Sequence, residues 1–163
     1  MSELHVPTGL IVGRFDPPHL GHSYMIEWAA QRCSDLVVYV NASMERDAVP
    51  GELRGAWLGE LHPNVEVRVV RHSLATDFDD EDLWAKWIEL FRQRWPHDDG
   101  PHAVFSSDPY VSELADRLGA AAVSVAPERA NVTISATQIR DEPADHLDKV
   151  APPVRSWIES NWI

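Results

Sequence analysis

The sequence predicts an α/β fold, a Rossmann-like doubly wound sheet of about five parallel strands with helices on both faces. Short runs rich in β-branched residues alternate along the chain with segments whose apolar residues recur at helical spacing. Strands and helices that alternate in this way form parallel sheets. The five strand-like runs cover residues 10–12, 36–40, 65–70, 103–105 and 121–125. Such sheets bind ligands beyond the carboxyl ends of their strands, so the loops after these runs are the places to search for a site.

Four amphipathic segments separate the strand-like runs, near residues 20–29, 53–61, 83–91 and 111–118. The fourth has Asp108 as a candidate N-cap and Pro109 at the first helical position, and Gly119 ends it. A last apolar stripe at residues 154–158 predicts a C-terminal helix. We expect one domain over residues 1–163.

Composition and charge exclude several classes of protein. Hydrophobic residues make up 44% and charged residues 25% of the 163 residues, as in ordinary globular domains. The net charge of −12 disfavours a nucleic-acid partner, although a local site can still bind a small phosphorylated ligand. No apolar run approaches the roughly 18 residues of a membrane span. Cys33 is the only cysteine, which excludes an internal disulfide. We expect a cytoplasmic protein that binds neither nucleic acid nor membrane. The sequence leaves open whether the protein forms a homo-oligomer.

The segment after the first strand-like run, residues 13–22, combines features of a phosphate site. Gly13 permits close approach of the backbone to a ligand, and Arg14 offers a planar fork of donors. His19 and His22 stand at the start of a helix, where free N–H groups and the helix dipole favour an anion. Both imidazoles can face one side and donate to phosphoryl oxygens. A metal pair and two surface histidines are competing interpretations, but no third metal ligand lies nearby in the sequence.

The segment after the fifth run, residues 133–140, predicts a second anion site. Ser135 followed by Gln138 is a capping-box pattern, so a helix should begin there. Its start would present hydroxyl groups of Ser135 and Thr137 to an anion, and Arg140 can reach the same phosphates. An ordinary capped helix is the competing interpretation.

Both segments resemble signatures of the nucleotidyltransferase superfamily related to class I aminoacyl-tRNA synthetases. Residues 13–22 resemble Gly-x-Phe-x-Pro-x-His-x-Gly-His at every fixed position, and residues 134–140 resemble Ile-Ser-x-Thr-x-Ile-Arg. In that superfamily the two loops grip the triphosphate.

Further segments resemble the nicotinamide mononucleotide (NMN) adenylyltransferase domain of bifunctional enzymes that also carry a ribosylnicotinamide kinase. The likeness covers about residues 8–160, and the similar segments lie at residues 46–47, 53–54, 84–87, 105–110 and 126–129. The two resemblances together assign roles to the following residues. Nucleotide binding falls to Gly13, Phe15, Gly21, Ser135, Thr137 and Arg129, catalysis to His19, His22, Arg14 and Arg140, and acceptor binding to Arg46, Arg54, Trp84, Trp87 and Tyr110.

These assignments have a physical basis. The arginines can supply the positive charge that a four-phosphate system needs, and a tryptophan such as Trp84 can stack on the flat, cationic ring of NMN. Trp84 and Trp87 both lie on an apolar stripe, so we expect one in the core and the other at the pocket. Tyr110 is either a second stacking partner or only a helix-start residue.

The implied reaction transfers AMP from ATP to NMN and yields NAD and pyrophosphate. Neither signature supplies a covalent nucleophile, so we expect direct in-line attack by the acceptor phosphate, with catalysis by positioning and charge stabilisation. Mg²⁺ would be carried on the triphosphate with few protein ligands, and no protein metal site is expected.

Departures from the family keep an alternative open. Ala126 stands in place of an Asp, the segment before Leu53 is short, and the kinase domain is missing from this sequence. A cytidylyltransferase that uses CTP and a small phosphonate or phosphate ester is the alternative enzyme. A nucleotide-binding sensor is disfavoured, because binding alone would not need both histidines.

Overall fold

The computed structural model describes residues 5–43, 47–126 and 134–163. Its strands are β1 (Val6–Gly13), β2 (Cys33–Ser43), β3 (Glu66–His72), β4 (Ala103–Ser106) and β5 (Ala121–Ser124). Its α-helices are α1 (Leu20–Ala30), α2 (Gly51–Leu61), α3 (Glu81–Arg94), α4 (Val111–Leu118), α5 (Ala136–Asp141) and α6 (Pro152–Asn161), and a 3₁₀ helix (Pro143–Lys149) precedes α6.

The strands form one parallel sheet in the order β3-β2-β1-β4-β5, which confirms the predicted fold class. The central strand β1 pairs with β2 on one side and with β4 on the other, so Gly9 lies opposite both Leu36 and Ala103. From β1 the chain adds β2 and β3 on one side, and it then crosses over to add β4 and β5 on the other side. The strand order therefore reverses between β1 and β4. In open parallel sheets that reversal marks the ligand crevice, and the carboxyl ends of β1 and β4 are therefore where the fold positions a site.

Side chains of β1 alternate between the two faces of the sheet. Ile11 packs with Met25 and Ile26 of α1 on one face. Leu10 and Val12 belong to the cluster on the other face, which α3 and α4 cover. Because successive side chains of a strand point to opposite faces, a strand that helices cover on both sides has apolar residues at successive positions. Among the described helices, none combines the length and apolar character needed to cross a bilayer.

A third cluster anchors the C-terminal part of the chain. It joins α2 to α5 and α6, with Ile139 and Ile158 fully buried and Trp57 5% exposed. The predicted C-terminal helix is confirmed, and α5 is held at the carboxyl edge of the sheet because Ile139 packs into this cluster.

The start of α4 differs from the prediction. The helix begins at Val111 with Tyr110 as its N-cap, and Asp108 gives no side-chain cap. The hydroxyl of Tyr110 donates to the carbonyl of Val12 at 3.1 Å, which holds residue 110 against the sheet instead of at a position inside the helix. Gly119 ends the helix in the left-handed conformation at φ 72°, as predicted.

Two glycines of α2 provide a matched pair of substitutions. A Cβ on Gly55 would lie 2.6 Å from Cγ2 of Val69 in β3, whereas a Cβ on Gly59 would meet no atom within 4 Å. We expect Gly55→Ala to lower the free energy of unfolding by about 1–3 kcal/mol, because the helix must move away from the strand. Gly59→Ala should raise it by roughly 0.5–1 kcal/mol, since alanine favours a helix. Urea unfolding measures both, and an equal loss in the two variants would contradict the close approach of α2 to β3.

Candidate functional site

A cavity of about 680 Å³ opens at the carboxyl edge of the sheet. Its walls come from the ends of β1, β2 and β4, the start of α1, residues 76–78, α3 and the start of α5. The volume suits a ligand of nucleotide size. Both segments that resemble family signatures reach this cavity.

The loop after β1 is fixed by a buried carboxylate. Asp16 is 1% exposed, and its two carboxylate oxygens accept hydrogen bonds from the amides of Ala48 and Val49, each at 2.8 Å. Arg14 lies 3.5 Å from the same carboxylate and has a half-exposed side chain at the cavity. Asp16 therefore ties the first loop to the segment that precedes α2.

Arg54 is the buried cation of this network. Its guanidinium is fully buried and donates to the carbonyls of Val49 at 2.9 Å and Asn41 at 3.1 Å, to the carbonyl of Arg14, and to the carboxylate of Asp47. Burial lowers the pKa of Arg54, while Asp47 and then Asp16 raise it. The expectation that Arg54 contacts the acceptor does not fit this geometry, because its donors are used inside the protein and it does not line the cavity. Sequence reasoning missed Asp16 and Asp47 as its partners.

His19 and His22 face each other at the start of α1. His19 is the N-cap, and its Nδ1 accepts from the amides of Gly21 at 3.0 Å and His22 at 3.3 Å. Nδ1 of His22 accepts from the amide of His19 at 3.2 Å, and the two rings stack at 3.6 Å. Because an accepting Nδ1 carries no proton, each neutral ring has its proton on Nε2.

Burial keeps both imidazoles neutral. It lowers the pKa of His19 to about 4. The pKa of His22 is also lowered well below its usual value, first by burial and then by repulsion from a charged His19. Near neutral pH each ring therefore presents one N–H donor from Nε2.

Phe15 packs against the histidine pair. Its backbone has a φ of 53°, in the left-handed region that costs a non-glycine residue roughly 1–2 kcal/mol. The side chain is 2% exposed, and its ring meets the ring of His22 edge-on at 4.7 Å. A Cβ on Gly13 would come within 3.1 Å of the Phe15 ring, so a larger residue there would have to displace the ring by a few tenths of an ångström. Phe15 and Gly13 line the cavity and shape the loop around it.

The start of α5 lines the same cavity as the histidines. Ser135 and Gln138 form the predicted capping box, with the Gln138 amide donating to Ser135 Oγ at 3.2 Å and the Ser135 amide to Gln138 Oε1 at 2.9 Å. Arg140 donates to the carbonyl of Asp16 and to Thr137 Oγ1, so it bridges the two loops. Ser135, Thr137 and Arg140 line the same cavity as the histidines. Arg46 and Arg129, also assigned from the sequence, lie outside the described residues.

A cluster of aromatic side chains, here called the aromatic end, lines the same cavity. Trp84 is 6% exposed, Arg117 lies 4.8 Å from its ring centroid, and its Nε1 donates to the carbonyl of Phe78 at 3.0 Å. Trp87 is half-buried and donates from Nε1 to the carbonyl of Ala75 at 3.0 Å. Both tryptophans line the cavity, although we expected one of them to lie in the core. Trp84 is the more buried of the two, and Trp87 is the more accessible ring.

Tyr110 and Phe78 complete this aromatic end. Their rings stack with centroids 5.7 Å apart, and both line the cavity. Sequence reasoning missed Phe78, because a single aromatic residue in an acidic stretch carries no periodic signal.

Known proteins are similar to this chain over most of its length. The cytidylyltransferase-like family matches residues 10–142 of the chain. A nicotinamide-nucleotide adenylyltransferase of Aeropyrum pernix is 28% identical over 92% of this chain and 89% of its own length. The protein of that name from Methanospirillum hungatei is 30% identical over 81% of this chain and 74% of its own length.

Solved structures share the fold. A crystal structure of NadR protein in complex with NAD and AMP-PNP has a TM-score of 0.64 at 21% identity, over 91% of this chain and 46% of that chain. A bifunctional NMN adenylyltransferase/ADP ribose pyrophosphatase from Francisella tularensis, complexed with AMP and a manganese ion, has a TM-score of 0.62 at 14% identity, over 83% of this chain and 41% of that chain. The chain thus spans less than half the length of these structures.

Removal of the buried guanidinium tests the network around the first loop. We expect Arg54→Ala to lower the free energy of unfolding by roughly 3–5 kcal/mol, because Asp16 and Asp47 lose their buried counter-charge. The control is Arg68→Ala, which breaks a pair with Glu66 on the exposed surface and should cost at most about 1 kcal/mol. Denaturant unfolding measures both. Equal stability of the two variants would show that the network does not hold the loops.

Proposed function

The chain belongs to the cytidylyltransferase-like family, and on that premise we propose that it transfers AMP from ATP to nicotinamide mononucleotide, forming NAD and pyrophosphate. The relatives named nicotinamide-nucleotide adenylyltransferase support this reaction, since they match most of the chain. The observation that carries the proposal is one cavity lined both by phosphate-binding groups, here called the phosphate end, and by a cluster of aromatic rings.

The phosphate end has donors on two sides. On one side are Nε2 of His19 and His22, with Arg14 beside them. On the other side are the capped start of α5 and Arg140. Arginines and helix N-termini bind phosphate well, because their donors are fixed and point outward. We assign the triphosphate of ATP to this end.

The aromatic end suits a flat base. Trp87, Tyr110 and Phe78 all line it, and aromatic faces attract a cationic ring. The nicotinamide ring of NMN is flat and cationic. A small phosphonate has no ring to place there, so the aromatic end favours NMN over the cytidylyltransferase alternative.

The reaction needs positioning more than proton transfer. A phosphate oxygen of NMN is already anionic and attacks the α-phosphorus of ATP in line, so no general base is required. The bond from the α-phosphorus to the bridging oxygen breaks, and pyrophosphate leaves. The Nε2–H groups of His19 and His22 donate to the α-phosphate oxygens as charge builds there. Neutral imidazoles keep these donors without a change in protonation.

A divalent metal ion is assigned to the substrate. Among residues 5–43, 47–126 and 134–163, no group of three or more His, Cys, Asp or Glu side chains is placed to hold a metal. Mg²⁺ prefers phosphate and water oxygens and keeps few protein ligands. We therefore propose that it arrives as the ATP complex.

Pyrophosphate release tests the reaction. The enzyme would be incubated with ATP or CTP against NMN, nicotinate mononucleotide and a small phosphonate, each with Mg²⁺. We expect ATP with NMN to give pyrophosphate and an equal amount of NAD. Turnover of CTP and the phosphonate without NAD formation would instead support the cytidylyltransferase alternative.

The histidine donors can be separated from their capping role. In His19→Asn the asparagine still caps α1, since Asn is a favoured N-cap, but the Nε2 donor is lost. We expect turnover to fall by roughly 10²-fold or more, as for loss of one transition-state donor, with stability changed by less than about 1 kcal/mol. His5→Asn changes an exposed histidine just before β1, at the amino end of that strand, and should leave turnover unaltered. A His19→Asn enzyme with wild-type turnover would refute the assignment.

A further inference from the structure

We propose that Phe78 and Asp77 form a selective cover for the acceptor's base, which favours a cationic ring that carries an uncharged substituent. Both residues lie in the segment between β3 and α3, and both line the cavity. This inference rests on the proposed function and adds a determinant of acceptor choice.

Phe78 is an apolar side chain that the fold leaves more than half exposed to solvent. It is 56% exposed, although it lines the cavity. Its backbone is fixed, because its carbonyl accepts from Nε1 of Trp84 at 3.0 Å and its neighbour Asp77 caps a turn by accepting from the Asp79 amide at 3.0 Å. An aromatic ring held at a cavity mouth by its backbone, with more than half of its surface open, is suited to cover a ligand.

The ring opposite Phe78 is rigid. Tyr110 is held by the hydrogen bond from its hydroxyl to Val12 at the end of the central strand. The planes of Phe78 and Tyr110 differ by 26°, and their centroids are 5.7 Å apart. A flat ring between them needs roughly 7–8 Å, twice the optimal carbon separation. Phe78, as the exposed partner, therefore moves outward by about 1–2 Å on binding and then covers the acceptor ring.

The charge at this end of the cavity favours a cation. Asp77, next to Phe78, lines the cavity, whereas Glu81 of the same acidic stretch pairs with Arg117 and does not line it. The two arginines among the described lining residues, Arg14 and Arg140, contact Asp16 at the phosphate end instead. A pyridinium ring is attracted to this field, whereas a carboxylate on that ring is repelled. The pair therefore favours NMN over nicotinate mononucleotide.

Substitutions of Phe78 test the cover by steady-state kinetics. We expect Phe78→Ala to raise the KM for NMN roughly 5- to 30-fold, the scale of a desolvated cation–π contact, and to leave kcat and the KM for ATP within about twofold. Phe78→Tyr should restore the wild-type KM, and Phe78→Leu should restore only part of it. Ile163→Ala removes another exposed apolar side chain, 64% exposed, and should change nothing. An unchanged KM for NMN in Phe78→Ala would overturn the cover.

Substitutions of the acidic residues test the selectivity. In Asp77→Asn the amide oxygen still accepts from the Asp79 amide, so the turn persists while the charge is lost. We expect the ratio of kcat/KM for NMN to that for nicotinate mononucleotide to fall several-fold. Asp79→Asn removes the same charge from a residue that does not line the cavity, and should leave the ratio unchanged. An unaltered ratio in Asp77→Asn, or an equal fall in both variants, would overturn the role of Asp77.

The wild-type enzyme distinguishes failure of the proposed function from failure of the selective cover. If it forms no NAD from ATP and NMN, the proposed function itself fails. If it forms NAD and the Phe78 and Asp77 variants behave like the wild type, only the selective cover fails.

Discussion

A buried guanidinium holds the functional end of this protein together. Arg54 donates to carbonyls just after β1 and near the end of β2 and to Asp47, while Asp16 accepts from backbone amides in the segment before α2. Charges buried in this way are tolerated only when both partners are matched and hydrogen-bonded. Since the histidines follow Asp16 by a few residues, the position of the donor pair depends on the network. A substitution that only disturbs the network would thus reduce activity without touching any ligand.

The histidines combine two functions that proteins more often separate. Capping of α1 uses Nδ1 of each ring, and that use forces the proton onto Nε2. Burial then keeps the rings neutral, as the lowered pKa of His19 shows. The local fold of the helix start therefore fixes the direction and the number of the donors. No further hydrogen-bond partner is needed to orient either ring.

The parallel sheet and the two loops could be predicted because their signals are local. β-Branched runs give strands, and Ser135 with Gln138 gives a capped helix. Arg54 was misjudged because charged residues are rarely buried and its carboxylate partners come from other segments of the chain. The start of α4 was misplaced because a bond from Tyr110 to distant Val12 competes with the local capping pattern. Phe78 was missed because only the folded cavity gives its exposure a meaning.

The contact between Arg140 and the carbonyl of Asp16 joins positions that are 124 residues apart in the chain. Strands β1 and β2 and helix α1 are synthesised first, but a domain generally folds as a unit. The half of the phosphate end that α5 provides is synthesised only after all five strands of the sheet. A nascent or C-terminally truncated chain thus carries the histidine pair without its counterpart. Assembly of the phosphate end therefore depends on completion of the whole sheet.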